Sequence, residues 1–357
     1  MSTTISPTQV EPEARPAFSA ADVRALRVRR TRRVRRWVCA LGLAVVCAAA
    51  INVLLGRYTV TIPDFIAILG GERIPGASFI VMQDKLPRTI TGVLVGLCFG
   101  AAGALLQRLL RNPLASPDII GISQGASAVA VAGIVFFGAS GLAVSGLAFL
   151  GALAVIAVGY AVTRTQRLAG TQFILVGLAL AAGGHALISW LLSRTDIRTA
   201  ADSVRWLAGS LNNATWQRIV ILLLCAAVLL PLTVLAARAL QPLELGDDTA
   251  QSLGSLAVRS RLLVVVTAGA LCAAATAIVG PLAFVAFLAG PIARRLVPGA
   301  AVGTAALVGA LIVVLADFVA ANFFGDNVVP VGVVTGALGA PFLILTLITS
   351  NSNGKAR

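Results

Sequence analysis

Eight long stretches of this chain carry no charged residue, and they constrain its fold more than any other feature. Each stretch has at least 19 residues, and a 19-residue α-helix is about 28 Å long, close to the thickness of a bilayer's hydrocarbon core. The stretches are Trp37–Gly56, Thr89–Gln107, Ile119–Thr163, Leu168–Ser193, Ile219–Ala237, Leu262–Ala293, Leu296–Ala316 and Asn327–Gly354. The sequence therefore predicts an all-α, polytopic membrane protein.

Two of these stretches are too long for a single upright crossing, and each contains a break. The 45-residue stretch Ile119–Thr163 is interrupted around Gly138-Ala-Ser-Gly141. The 32-residue stretch Leu262–Ala293 is interrupted at Gly280-Pro281, and its second helix extends through two arginines that can snorkel to the interface. Dividing both stretches predicts about ten transmembrane helices.

The distribution of basic residues predicts that both chain ends face the cytoplasm. With the N-terminus inside, 20 Lys and Arg residues fall on inner segments and 8 on outer segments, as the positive-inside rule requires. Nine of the inner arginines lie between Arg15 and Arg36. We expect a largely disordered, Arg-rich cytoplasmic tail over 1–36, a ten-helix transmembrane domain over 37–350, and a short cytoplasmic tail over 351–357.

Composition excludes several classes of function. Only 12% of the residues are charged, against about 25% in soluble proteins, which argues against an ordinary soluble enzyme. The net charge is +14, but nine of the arginines directly precede the first apolar stretch, as a cytoplasmic anchor does, and no folded basic domain exists, so no nucleic-acid partner is expected. The five cysteines lie inside apolar stretches without metal-binding spacing, which predicts no metal site. The sequence has no P-loop, so any ATP hydrolysis belongs to another chain.

Glycines at four-residue spacing predict close helix contacts. Gly92, Gly96 and Gly100 lie in the second predicted span, and Gly332 and Gly336 lie in the last. Such ridges let two backbones approach in lipid, either as static packing or as gliding surfaces of a moving transporter. Static packing is the interpretation that we favour.

Three polar residues within the spans are candidates for chemistry. His185 either lines a substrate path or is a buried, hydrogen-bonded side chain. Asp317 is the only acid within a predicted span, where it serves either a proton relay or a structural hydrogen bond. Ser123 lies in a G-x-S-x-G pattern, but its context is a membrane helix and the sole histidine is two spans away. An intramembrane hydrolase is therefore disfavoured.

The longest inner loop between spans, around 242–256, predicts a short surface helix. Asp247 can cap the N-terminus of this helix, and Gly254 can end it. Glu244, Asp247 and Asp248 form an acidic patch on an otherwise basic face. The residues alone leave two alternatives open, a docking helix for a soluble partner or a capped connector.

The segment Leu245–Gly254 resembles the coupling-helix signature of the iron–siderophore (FecCD-type) permeases of ABC importers. Further segments resemble that family in the same order: Lys85–Arg88, Leu105–Gly121, Trp206–Leu211, Ile292–Leu296, Pro330–Gly332 and Gly339–Phe342. The resemblance covers about 37–350 and is greatest to members of the ferric-enterobactin type. The chain departs from the family pattern at Gly290-Pro291, at Val328, and at Ala321, where many members have an arginine that would pair with Asp317.

The resemblance implies a permease subunit of an ATP-driven importer that moves ferric siderophore across the cytoplasmic (inner) membrane. It implies a second permease subunit, two ATPase subunits and an extracytoplasmic siderophore-binding protein as partners. The chain itself is expected to need no cofactor and to catalyse no reaction, while ATP and Mg bind the partner ATPase. Cobalamin or haem are alternative cargoes within the family, and an ion-coupled secondary transporter is an alternative outside it.

The resemblance also assigns roles to individual residues. The ATPase is expected to couple through Leu245, Gly246, Asp247, Asp248, Ala250, Leu253 and Gly254. A basic cluster on the first outer loop is expected to pair with acids of the binding protein, and it comprises Arg57, Arg73, Lys85 and Arg88.

Overall fold

The fold is described from a computed structural model, over residues 20–163, 170–252, 256–297, 302–325 and 329–354. Every regular element in those ranges is helical. The helices are α1 (Ala20–Leu54), α2 (Ile62–Leu69), α3 (Ala77–Phe79), α4 (Leu86–Leu109), α5 (Ile122–Phe137), α6 (Leu142–Thr163), α7 (Gly170–Arg194), α8 (Ile197–Leu207), α9 (Trp216–Leu243), α10 (Asp247–Ser252), α11 (Ala257–Val279), α12 (Val285–Leu296), α13 (Val302–Asn322) and α14 (Val331–Gly354). A π-helical turn, Ile80–Lys85, joins α3 to α4.

Within the described residues, seven segments are long and apolar enough to cross a membrane. They lie in α1, in the continuous run from α3 to α4, and in α6, α7, α9, α11 and α13. Helix α5 and the apolar part of α14, Val331–Ile344, are shorter apolar helices, and α12 has 12 residues. The all-α, multi-pass membrane class predicted from the sequence is therefore confirmed.

Both predicted breaks are present, and glycine produces them. Helix α5 ends before Gly138, and α6 begins after Gly141; these two glycines have φ values of 59° and 58°. Helix α11 ends before Gly280, whose φ is 79°. Positive φ suits glycine because it has no Cβ. The breaks make four helices out of the two longest apolar stretches.

Helices extend into both of the tails expected from the sequence. Helix α1 begins at Ala20, so residues 20–36 of the expected disordered tail are helical and continue into the first apolar stretch. Arginine has a high helix propensity, and extending an existing helix avoids the cost of nucleating a new one. Helix α14 likewise continues to Gly354, into the expected C-terminal tail. Residues 1–19 and 355–357 lie outside the described part.

Helix α4 lies at the centre of the bundle and packs against α1, α9, α11, α12 and α13. In the most apolar window of its span, 78% of the residues are buried, compared with 17% for α7. A helix that is apolar on all sides is expected in the interior of a large bundle. The polar groups at the two ends of α4 are consequently positioned by most of the fold.

The glycines of α4 allow this close packing. A Cβ at Gly96 would lie 2.5 Å from the Gly309 carbonyl oxygen of α13, and Gly100 faces the carbonyl of Ala305. A Cβ at Gly92 would lie 3.2 Å from the Leu211 side chain. The backbones of α4 and α13 therefore touch, as a glycine ridge predicts.

The two glycines of α14 differ in their surroundings. Gly332 faces the Ala208 carbonyl, which leaves no space for a Cβ. A Cβ at Gly336 would meet no atom within 4 Å in the described part of the chain. Close packing at Gly336 remains a prediction that would require a second chain.

Candidate functional site at the two ends of α4

Helix α4 has an arginine near each end. One arginine pairs with an acid inside another helix, and the other pairs with an acid that follows the end of a third helix. Arg88 and Arg108 are 20 residues apart, which corresponds to about 30 Å along the helix axis. Arg88 pairs with Asp317 of α13, and Arg108 pairs with Glu244, which directly follows α9. Helix α4 thus connects the region predicted to contact the binding protein, at Arg88, with the region predicted to contact the ATPase, beside α10.

The predicted coupling segment forms the short helix α10 and is anchored to the bundle. Ala250 is fully buried, and its backbone N–H donates to the Gly246 carbonyl. Gly246 has a φ of 110°, a conformation that only glycine adopts readily, while Leu245 is 65% exposed. The segment therefore has one buried anchor beside an exposed apolar residue, an arrangement suited to contact with a soluble partner.

The structure says less about the four other residues that are predicted to contact the ATPase. Leu253 and Gly254 lie outside the described residues. The backbone of Asp247 and Asp248 forms the start of α10. Their proposed roles stay predictions.

Side chains at the end of α4 attach the segment before α10 to the bundle. Arg108 Nε donates to Glu244 Oε1 at 2.7 Å, and a guanidinium nitrogen of Arg111 donates to the Leu243 carbonyl oxygen. Arg111 has a positive φ of 49°, which is uncommon for a residue with a Cβ. From sequence, the stretch Leu105–Ala115 resembles the family but has no assigned role; the structure shows that it holds the base of α10.

Gln107 extends the same cluster to α12. Its Nε2 donates to the Phe287 carbonyl oxygen at 3.1 Å, and its Oε1 accepts from an Arg294 guanidinium nitrogen at 3.1 Å. Gln107 is buried, with 2% of its surface exposed. Neighbouring residues of α4 thus bind both α12 and the end of α9, so α4 connects these two helices.

At the opposite end of α4, Asp317 has an arginine partner that sequence reasoning missed. Arg88 Nε lies 2.8 and 2.9 Å from the two carboxylate oxygens of Asp317. Asn52 of α1 adds a hydrogen bond from Nδ2 to Asp317 Oδ2 at 3.3 Å. Ala321 leaves Asp317 without the arginine that many family members carry four residues later, and α4 supplies a different arginine from 229 residues earlier in the chain.

This arrangement favours one of the two roles predicted for Asp317. Its side chain is 1% exposed, and that of Arg88 is 15% exposed. A buried carboxylate is tolerable when a counterion and further donors satisfy it, and both are present here. Asp317 is therefore a structural group that fastens α1, α4 and α13 together.

Two of the four residues predicted to contact a binding protein are engaged within the chain. Lys85 Nζ donates to the carbonyl oxygens of Val53, Leu55 and Tyr58, where α1 ends, and Arg88 is held by Asp317. Free carbonyls at a helix C-terminus favour a cation. Both side chains thus already have partners within the chain, and their predicted contact with a binding protein stays a prediction.

Arg57 and Arg73 are exposed and remain available for that role. The backbone N–H of Arg57 donates to Asn322 Oδ1 at 3.0 Å, which fixes its position next to α13. A cleft of about 210 Å³ adjoins Arg57, Asp84 and Asn212. Docking of a binding protein through Arg57 and Arg73 stays a prediction.

His185 lies on an exposed part of α7, so the single chain does not bury it. The described part supplies no hydrogen-bond partner for it. That His185 lines the substrate path stays a prediction.

Ser123 is buried, and its Oγ donates to Asp118 Oδ1 at 2.5 Å. A serine paired with an acid but with no histidine lacks the base of a hydrolase triad.

Comparison with known proteins identifies the family of this chain. Residues 43–349 match the model of the FecCD transport family. The chain belongs to the FecCD transport family. This membership makes it a membrane transport protein and is consistent with the anchored α10.

Individual relatives cover most of this FecCD chain. The ferric enterobactin transport system permease protein FepG of Escherichia coli (strain K12) is 36% identical over 82% of this chain and 89% of its own length. The Fe(3+)-citrate import system permease protein YfmE of Bacillus subtilis (strain 168) is 32% identical over 86% of this chain and 93% of its own length.

A solved structure also shares the fold of this FecCD protein. It is described as an inward-facing conformation of a metal-chelate type ABC transporter, and its TM-score is 0.77 at 29% sequence identity. The match covers 88% of this chain and 99% of the solved chain. The architecture seen here is therefore that of an ABC transporter permease.

Proposed function

We propose that this FecCD protein is a permease subunit of an ATP-driven ABC importer that moves a ferric siderophore across the cytoplasmic membrane. The observation that carries the proposal is its similarity, over more than 80% of the chain, to permeases named for ferric enterobactin and Fe(3+)-citrate. A binding protein delivers the chelate, and a separate ATPase subunit, with its ATP and Mg, drives the cycle.

In this proposal the chain crosses the membrane ten times, with both ends in the cytoplasm. The crossings are α1, α4, α5, α6, α7, α9, α11, α12, α13 and α14. The excess of Lys and Arg on the resulting inner segments supports this orientation. Helix α10 is then on the cytoplasmic side, where a soluble ATPase can reach it, and Arg57 and Arg73 are on the outer side.

The ATPase acts on the permease through α10. Movement of α10 reaches α4 through Glu244 and Arg108, and it reaches α12 through Gln107. The close contact at Gly96 and Gly309 carries the same movement from α4 to α13. A rigid helix that is packed on several neighbours is a suitable transmission element.

A second permease subunit completes the path. Helices α7 and α14 each have exposed apolar residues, among them Leu187, Trp190, Val333 and Leu338. The open glycines Gly183 and Gly336 lie on the same two helices and permit close approach of another helix. With a partner on these faces, His185 lies at the boundary between the subunits, beside the path of the chelate.

Uptake of radiolabelled iron chelates tests the proposed cargo. A deletion strain, the same strain with the wild-type gene, and the wild-type parent are compared under iron limitation with a panel of ferric siderophores, cobalamin and haem. We expect loss and rescue of uptake for at least one ferric siderophore. Loss confined to cobalamin or haem would overturn the cargo and retain the importer.

A second experiment tests the energy source in the same strains. Depleting ATP while a proton gradient is maintained should abolish uptake, and collapsing the gradient while ATP is maintained should leave most of it. The opposite result would indicate an ion-coupled secondary transporter and overturn the ABC mechanism for this chain.

A further inference from the structure

A cleft of about 880 Å³ opens beside α4, at the same end of the bundle as α10. Its lining comes from α1, α4, α9, α12 and α13. Buried alanines form its floor, because their short side chains leave space between the helices; they are Ala101, Ala104, Ala293 and Ala305. Nothing in the proposed transport cycle uses this space.

One end of the cleft is cationic. Arg108, Arg238 and Arg294 line it, and Glu244 is the acid among the described lining residues, so three positive charges face one negative charge. Arg108 is held by Glu244, and Arg294 donates to Gln107. Arg238 is exposed, and the described part of the chain supplies no hydrogen-bond or ion-pair partner for it.

The other end of the cleft is apolar. Leu230 and Val234 of α9 line it and are 53% and 52% exposed. Leu230 lies eight residues before Arg238, which is about 12 Å along the helix. The cleft therefore changes from charged to apolar over roughly the distance from a phospholipid headgroup to the first part of its acyl chains.

We propose that this cleft binds an anionic phospholipid from the membrane leaflet on the α10 side. The phosphate lies at Arg238 and Arg294, and an acyl chain lies along Leu230 and Val234. Guanidinium groups bind phosphate through paired hydrogen bonds, and basic pockets between membrane helices favour anionic headgroups. A soluble phosphate would leave the apolar half uncovered, whereas a lipid fills both halves.

The N-terminal half of α1 adds to the attraction. Val34 lines the cleft, and the arginines around it are exposed: Arg32, Arg33, Arg35 and Arg36. A cluster of arginines next to a membrane span attracts anionic lipid to its leaflet. The inference depends on the chain crossing a membrane and is independent of the cargo that the importer carries.

Native mass spectrometry of the full chain, purified in detergent with its partner subunits, tests the site. The protein is titrated with tetraoleoyl cardiolipin, dioleoyl phosphatidylglycerol and dioleoyl phosphatidylethanolamine. We expect preferential binding of the two anionic lipids and about a fivefold loss of that binding in Arg238→Gln. The matched control is Arg259→Gln, which removes an exposed arginine outside the cleft and should leave binding unchanged.

A second variant separates the shape of the cleft from its charge. Val234→Trp fills the apolar half while every arginine is retained, and it should weaken binding of the anionic lipids. Soluble glycerol phosphate should fail to compete. The proposal is overturned if Arg238→Gln and Arg259→Gln lose binding equally, if Val234→Trp binds like the wild type, or if glycerol phosphate displaces the lipid.

Discussion

The Nε atom of Arg88 lies 2.8 Å from one carboxylate oxygen of Asp317, in an ion pair that joins α4 to α13 inside the bundle. Asn52 of α1 donates to the same carboxylate, so one acid connects three helices. Removal of either charge would leave the other buried without its partner. Removal of both charges would leave an apolar contact.

This relationship predicts non-additive effects on stability. Arg88→Leu and Asp317→Leu should each lower the free energy of unfolding by about 3–5 kcal/mol, and the double variant should be closer to the wild type than either. Thermal unfolding of the purified protein in detergent measures this. If Arg88→Leu were as stable as the wild type, the pair would have no structural role.

The pair of Arg108 and Glu244 is more exposed and should affect transport more than stability. Surface pairs contribute about 0–1 kcal/mol, so the melting temperature of Glu244→Arg should change little. Because the pair joins α4 to the base of α10, we expect chelate uptake to fall about 2- to 30-fold and the double charge swap with Arg108→Glu to restore part of it.

The local pair of Asp202 and Arg205 on α8 offers a matched control for that experiment. It is an exposed ion pair between residues three apart on one helix, distant in sequence from α10. Asp202→Arg should leave uptake unchanged. An equal fall in uptake for Asp202→Arg and Glu244→Arg would show that the effect is one of surface charge and not of coupling.

Replacement of Gly96 tests the contact between α4 and α13. A Cβ there would approach the backbone of Gly309 and Ala310, so Gly96→Ala must displace one helix and should cost about 1–3 kcal/mol. Gly42→Ala in α1 is the control, since a Cβ there meets no atom within 4 Å. Thermal unfolding should separate the two variants, and similar melting temperatures would contradict the close packing.

Reversal of charge at Arg57 and Arg73 tests docking of the binding protein. Both residues are exposed, so Arg57→Glu with Arg73→Glu should retain the fold while weakening affinity for the binding protein about tenfold, chiefly through slower association. Surface plasmon resonance with the immobilised importer measures the rates. Arg259→Glu, a single charge reversal at an exposed arginine of α11, is the control for charge reversal as such, and unchanged affinity in the double variant would exclude this surface.

Substitution of His185 separates folding from transport. Because the side chain is exposed in the single chain, His185→Ala should not lower the melting temperature. If it lies beside the path, the KM for chelate uptake should rise while the amount of protein in the membrane stays constant. Unchanged kinetics would remove His185 from the path.

The sequence predicted local features well, because each depends on a few neighbouring residues. The absence of charge over about 20 residues predicts a membrane helix, and the breaks at Gly138 and Gly280 follow from glycine's conformational freedom. A short helix near Asp247 was also predicted locally, and α10 begins at Asp247 itself and not after it as the capping prediction placed it. The helicity of residues 20–36 was not predicted; there the helix of the first apolar stretch includes the arginines that precede it.

Long-range partners could not be read from the sequence. Nothing near Asp317 indicates Arg88, 229 residues away, and the pairing of Arg108 with Glu244 spans 136 residues. Sequence reasoning assigned Lys85 and Arg88 to docking because both charges lie in a basic loop. A charged side chain is either free or engaged according to which groups the fold brings beside it.

The sequence by itself determined that this chain is an all-helical membrane protein of the transporter type and where its helices break, because burial in lipid imposes length and apolarity on each helix separately. Only the tertiary structure decided which charges pair, which face of α7 is open, and that a cationic cleft lies beside α4. Those properties depend on the distances between helices, and helix packing sets them across hundreds of residues of sequence.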